Sequence, residues 1–208
     1  MPNISKVFEK VINKNILQFC EINKVIPDNQ FGFRKDHFTY HAMIKLASDI
    51  SLAMNGNYVI GAILIDLKSA FDSVWLNGLL YKLDTLNFPV YLQKIVWMLL
   101  KNRKCYVEST FNKEIYTSKM YNLQNGLQQG TINAPILFSI YISDILFEDM
   151  NMLAFADDII SYSKSNSISL LNSKLKHKMQ ALVEYCKKWS VLINFEKCES
   201  ILFRVNSE

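Results

Sequence analysis

Apolar and polar residues follow two different periods along this chain, and the places where one period gives way to the other mark its elements. Residues 5–23 set Val7, Ile12, Ile16, Leu17 and Phe19 at near-helical spacing, and Pro27-Asp28 breaks that segment. A second helix is predicted over roughly 37–54, with Met43, Ile44, Leu46, Ala47 and Ile50 on one side and Asn55-Gly56 as its stop. YVIGAILIDL, 58–67, is a continuous apolar and β-branched run, the pattern of a fully buried strand, and it closes on a carboxylate, Asp66. Helices are predicted over 76–87 and 90–101, separated by Pro89, and RKCYVES and KEIYTSK then alternate around Phe111-Asn112 as a hairpin. After GLQQG a helix begins near Ala134-Pro135 and runs through PILFSIYISDILF, with proline in a first turn that tolerates it. Strand, acidic turn and strand cover 151–163. Residues 168–189 form an amphipathic helix with Leu171, Leu175, Met179, Leu182 and Cys186 inward, and SILFRV is a last strand. Helices mixed with antiparallel hairpins, without strict βαβ alternation, predict an α+β fold.

Composition narrows the class. Half of the 208 residues are hydrophobic, enough for a substantial core, and no repeat or Pro/Gly/Ser-rich linker divides the chain, so one compact unit is expected. Lys and Arg exceed Asp and Glu by 23 to 19, a mild surplus that suits a polyanionic partner without requiring one. Cys20, Cys105, Cys186 and Cys198 lie far apart with no CxxC pair, which indicates neither a zinc site nor a disulfide framework and suits a reducing, intracellular setting. The charged N-terminal stretch does not read as a signal peptide, and no run approaches about twenty apolar residues, so no membrane partner is expected. His37, His41 and His177 have no acids at ligand spacing and read as structural or solvent-facing.

The chemistry concentrates in acids that interrupt strands. In MLAFADDIISYSKS, Asp157 and Asp158 stand between two strand-like runs, where an unpaired buried charge is costly. Asp66 ends another buried strand. If the two strands are neighbours, the three carboxylates converge, and their mutual repulsion calls for divalent cations. Hard oxygen ligands select Mg²⁺, with Mn²⁺ able to substitute, and a pair of such ions can activate an attacking oxygen and stabilise a leaving one. Read without that context, adjacent acids in a loop are a solvated turn.

The ordered set QFGFRKDHFTYHA (30–42), AILIDLKSAFDSVW (62–75), NGLQQGTINAPILFSIYISD (125–144), LAFADDIISYS (153–163) and KKWSVLINFEKCESILF (187–203) resembles the reverse transcriptase domain of non-LTR retrotransposons, and the upstream segment resembles that family's fingers. The resemblance implies a polymerase palm, an antiparallel sheet backed by helices, with partial fingers over 1–57 and mainly palm over 58–208. It also places the primer grip and thumb beyond the last palm motif seen here. By resemblance Asp66 and Asp157 hold two metal ions, Asp158 adds charge beside them, and the Leu67 carbonyl is a further ligand. Phe71 takes the position of a ring that excludes a 2′-hydroxyl and so selects dNTPs; on its own it reads as a core aromatic. Gln129 and Gly130 match the template- and nucleotide-contacting loop. Arg34, with Lys35 beside it, is assigned to the triphosphate or template, and Lys197 to the pyrophosphate leaving group. Lys68, Lys187 and Lys188 read as surface charges.

The chain departs from the family pattern at Gln128, where proline is usual, at Thr131 for serine, at Asn133-Ala134 before Pro135, and at Asp36, where glycine is usual. The implied activity is RNA-directed DNA synthesis, with an RNA template, a DNA primer and dNTPs as partners, in the nucleus and/or cytoplasm. Two other readings stand beside it: a catalytically silent remnant that binds nucleic acid or merely folds, and a nucleotide cyclase, which has no need of QFGFR or LQQG.

Overall fold

A computed structural model describes residues 3–146 and 151–204. Its centre is a four-stranded antiparallel sheet built from β1 (Val59–Ile65), β6 (Met152–Phe155), β7 (Asp158–Ser165) and β8 (Glu199–Phe203), in the order β6-β7-β1-β8. β1 is a middle strand, paired with β7 from Val59↔Ser165 to Ile65↔Ile159 and with β8 from Ile60↔Phe203 to Leu64↔Glu199. That central position explains its unbroken apolar composition, because both faces are covered.

Among the described residues, six α-helices surround the sheet: α1 (Asn3–Ile22), α2 (Thr39–Asn55), α3 (Leu76–Thr85), α4 (Val90–Leu100), α5 (Ala134–Tyr141) and α6 (Ile168–Lys188). The main core gathers Ile65 and Ile159 from the sheet with Ile12 and Ile16 of α1, Leu79 and Leu83 of α3, Leu92 and Val96 of α4, Phe138 of α5 and Leu182 of α6. The other face carries Ala62, Leu153, Tyr162 and Phe31, with Ala42 and Leu46 of α2 packed against them. Tyr162 donates a 2.5 Å hydrogen bond to Asp49, which fastens α2 to β7.

The α+β expectation holds, and the structure corrects several details. Val7 is 61% exposed; the buried stripe of α1 runs through Ile12, Ile16 and Cys20, one residue per helical turn. On α2, Met43 and Ile44 are exposed and Ala47 faces solvent, whereas Leu46 and Ala53 turn inward. One side of α2 lies along the smaller cluster, touching β1 and β6 and bonded to β7, and the other side faces solvent. The helix expected through residue 147 ends at Tyr141 and gives way to a 3-10 turn at Ser143–Ile145; residues 147–150 lie outside the described residues.

The single hairpin expected over 103–119 is two ribbons. β2 (Arg103–Cys105) pairs with β5 (Tyr121–Leu123), and β3 (Glu108–Phe111) pairs with β4 (Glu114–Thr117). The tight turn is Asn112-Lys113 rather than Phe111-Asn112, since both turn residues adopt positive φ, +50° and +67°, as a primed hairpin turn requires.

A buried polar node ties α3, α5 and α6 together behind the sheet. Lys82, 3% exposed, lies 2.5 Å from Asp144 and 2.7 Å from the Tyr185 hydroxyl, and also donates to the Tyr141 carbonyl. The Trp189 ring centroid is 4.0 Å from its ammonium, and the Tyr141 hydroxyl donates to the Trp189 carbonyl. Among the described residues, no helix is long and apolar enough to cross a membrane.

Candidate active site

Register brings the acids together. β1 and β7 are paired through Ile65↔Ile159, so the next step along both strands sets Asp66 opposite Asp158. Strand alternation puts both on the face that carries Ala62 and Tyr162. Phe155 pairs with Asp158, which leaves Ala156 and Asp157 as the two-residue turn of the β6–β7 hairpin. Burial, and then the charges of Asp157 and Asp66, push the Asp158 carboxyl above the usual carboxylate range. Asp158 is itself exposed at the surface, beside those two carboxylates.

Asp66 is anchored from the 187–203 segment, through a residue to which the motif assignment gives no role. The Asn194 amide donates to Asp66 Oδ2 at 2.9 Å, and the Asn194 backbone N–H donates to the Asp66 carbonyl at 2.9 Å. Lys68 N–H donates to the Leu192 carbonyl at 2.7 Å, and Leu67 bridges Ile193. The bonds flanking that antiparallel bridge leave the Leu67 carbonyl out of the pairing. Lys197 closes the adjoining turn, its N–H donating to the Asn194 carbonyl at 3.0 Å, so Asn194 and the exposed Lys197 share one turn beside Asp66.

The other candidates fall into two groups. Phe71 stacks on Phe138 with centroids 4.7 Å apart and meets Phe33 edge-on at 6.1 Å, so a core ring supports one side of it. Its carbonyl accepts the Leu127 N–H at 2.8 Å, and the Val74 carbonyl accepts the Gly126 N–H at 2.8 Å, which ties the LQQG loop to the segment after Asp66. Gln129 donates to both Asp72 oxygens, at 3.0 and 3.1 Å. Gly130 adopts φ +80° with open space around it, so conformation rather than crowding selects glycine there. Arg34 is turned to its own segment, donating to the Pro27 and Gln30 carbonyls at 3.0 and 3.3 Å and approaching Asp28 at 3.5 Å. A phosphate contact from Arg34 would therefore use its remaining donors. Among the histidines, His41 accepts the Phe38 N–H at 3.2 Å and caps the start of α2.

The expected three-carboxylate cradle is looser than the sequence suggests. Among the described residues, no three His, Cys, Asp or Glu side chains stand close enough to hold an ion by themselves. Like charges repel, and Asp66 is held toward Asn194. Mg²⁺ needs only one or two carboxylates together with substrate phosphates and waters, so Asp66, Asp157 and the Leu67 carbonyl, which the bridge to Ile193 leaves out of its pairing, are the groups here that could hold one. The raised Asp158 carboxyl marks the negative charge that a cation would relieve.

Acids at the end of a middle strand and at the adjoining hairpin turn, on a helix-backed antiparallel sheet, define a palm-type polymerase fold. A solved apo telomerase from Candida tropicalis shares that fold, with a TM-score of 0.68 at 13% identity, covering 93% of this chain and 36% of that one. The chain belongs to the reverse transcriptase (RNA-dependent DNA polymerase) family, whose profile matches residues 1–206. It is 33% identical over 213 residues to the RNA-directed DNA polymerase from mobile element jockey of Drosophila melanogaster, and 31% identical over 212 residues to the Drosophila funebris protein of the same name. Each alignment covers 98% of this chain and 23% of the relative, so the chain spans under a quarter of those proteins. These relatives bear out the resemblance to non-LTR elements and displace the cyclase reading. Reverse transcriptases use divalent metal ions.

Two residues that hold the site escaped the sequence reading. Asn194 and Gln30 lie inside quoted motifs, but neither is charged, and each acts on a partner more than a hundred positions away.

Proposed function

We propose that this chain is the fingers and palm part of an RNA-directed DNA polymerase, with residues 1–57 contributing to the fingers and 58–208 forming mainly palm. The observation that carries this reading is the placement of Asp66 opposite the Asp157-Asp158 turn on neighbouring strands, with the crowding of charge felt at Asp158. In the reaction the primer 3′-oxygen attacks the α-phosphorus of a dNTP, the bond to the bridging oxygen breaks, and pyrophosphate leaves.

Asp66, Asp157 and the Leu67 carbonyl would hold two Mg²⁺ ions, which supply the charge that activates the 3′-hydroxyl and stabilises the departing oxygen. Asn194 fixes the rotamer of Asp66. Phe71, braced from behind by Phe138, would close off the space beside C2′ and favour dNTPs over rNTPs. Gln129, held by Asp72, and the backbone at Gly130 would face the template and the incoming base. Lys197, and Arg34 through its unused donors, would meet the triphosphate. An RNA template and DNA primer place this work in the nucleus and/or cytoplasm.

Primer extension on an RNA template with Mg²⁺ tests the reading, comparing the chain with folded Asp157→Asn and Asp158→Asn variants. Extension that falls to background in Asp157→Asn is expected. A chain that extends no better than that variant is the silent remnant instead.

A further inference from the structure

The acidic turn is held from outside its own hairpin. Gln30 is wholly buried, 0% exposed, and spends its amide on that turn: Nε2 donates to the Ala156 carbonyl at 3.4 Å, and Oε1 accepts the N–H of Ala156 at 3.3 Å and of Gly32 at 3.1 Å. Only this orientation of the amide satisfies all three groups, because the flipped one would set NH₂ against two N–H donors. The backbone extends the contact. Phe31 N–H donates to the Ala154 carbonyl at 2.8 Å, and Ala154 N–H donates to the Asn29 carbonyl at 2.8 Å. Gly32 presses so close that a Cβ there would come within 2.1 Å of the Ala156 nitrogen.

Ala156 needs such support. It is 7% exposed, so its backbone groups have little access to water, and its φ of +60° is a left-handed conformation that a non-glycine residue adopts only at a cost. A turn left to itself would relax, and the residue that would move with it is Asp157. We propose that Gln30 is a positioning residue, clamping Ala156 so that the Asp157 carboxylate stays in fixed relation to Asp66. This assignment rests on the polymerase reading for its consequence and on the hydrogen bonds for its geometry.

The test compares the full chain with Gln30→Met, which keeps volume and loses all three bonds. Asn29→Ala serves as a control that loses only the Asn29 side-chain bond to the Met152 carbonyl. In primer extension, Gln30→Met is expected to raise the Mg²⁺ concentration for half-maximal rate and to lower kcat by about 10- to 100-fold with KM for dNTP little changed, as for loss of an outer-shell partner. Asn29→Ala leaves both in place. By amide hydrogen exchange, the Ala156 N–H is protected in the wild type and loses that protection in Gln30→Met while β1 amides such as Ala62 keep theirs. A Gln30→Met chain that melts earlier but keeps the wild-type Mg²⁺ requirement overturns the proposal. So does an Ala156 amide in the wild type that exchanges as fast as an open turn, a result that needs no variant to fold. A wild-type chain without activity would sink the polymerase reading, and the exchange data alone would then decide the clamp.

Discussion

Replacing Lys82 with Met should change how the stability of this protein depends on pH. Lys82 is almost completely buried, and burial, partly offset by its bond to Asp144, brings its pKa down from 10.5 to about 8. Between those two values the unfolded chain carries a proton at this position that the folded chain has released. Stability therefore rises with pH across that window, and the contribution is lost as pH falls through about 8. A separation of 10.5 − 8 = 2.5 pH units corresponds to about 3 kcal/mol in all, at about 1.4 kcal/mol per unit. Other groups titrate nearby. Lys178 is also lowered to about 8, through burial and Lys174, while burial raises Cys20 and Cys186 to about 12, so stability associated with the cysteines falls above about pH 9. For this reason the informative quantity is the difference between wild type and Lys82→Met in urea unfolding, measured from pH 7.5 to 10.5. That difference should move in favour of the wild type by about 1.4 kcal/mol per pH unit above pH 8. A difference that stays flat with pH would show that Lys82 keeps its proton in the folded state, with the Asp144 pairing and the aromatic rings outweighing the loss of water.

Three further outcomes follow from the site. Asn194→Ala removes the 2.9 Å bond to Asp66 Oδ2 and keeps the backbone bond, so the extension rate should fall about 10- to 100-fold with little change in melting temperature; an unchanged rate would mean that Asp66 is oriented without it. Phe71→Val removes the ring that Phe138 supports, and the ratio of kcat/KM for dNTP over rNTP should drop by at least about tenfold. A ratio that does not move would return Phe71 to the core. Tyr162→Phe loses the 2.5 Å bond to Asp49 and should cost about 1 kcal/mol in urea unfolding, with faster amide exchange concentrated in α2. Uniform exchange across the chain would show that α2 does not depend on that bond.

The sequence by itself determined the kinds of elements, most of their bounds and the identity of the catalytic candidates. β1 is legible because a strand covered on both faces has to be apolar throughout, and α6 because a helix lying on a sheet repeats its apolar positions every three or four residues. The acids stood out because charge has no place inside a strand run unless something balances it. Tertiary structure alone decided which apolar residues face inward on α1 and α2, since Val7, Met43 and Ile44 satisfy the helical period as well as the residues that are buried. It also decided what holds the acids. Gln30 reaches Ala156 across 126 positions, and Asn194 reaches Asp66 across 128. A neutral amide has no signature of its own in a linear pattern, because its meaning lies in the donor or acceptor it meets, and that partner is supplied only when the sheet brings distant segments into register.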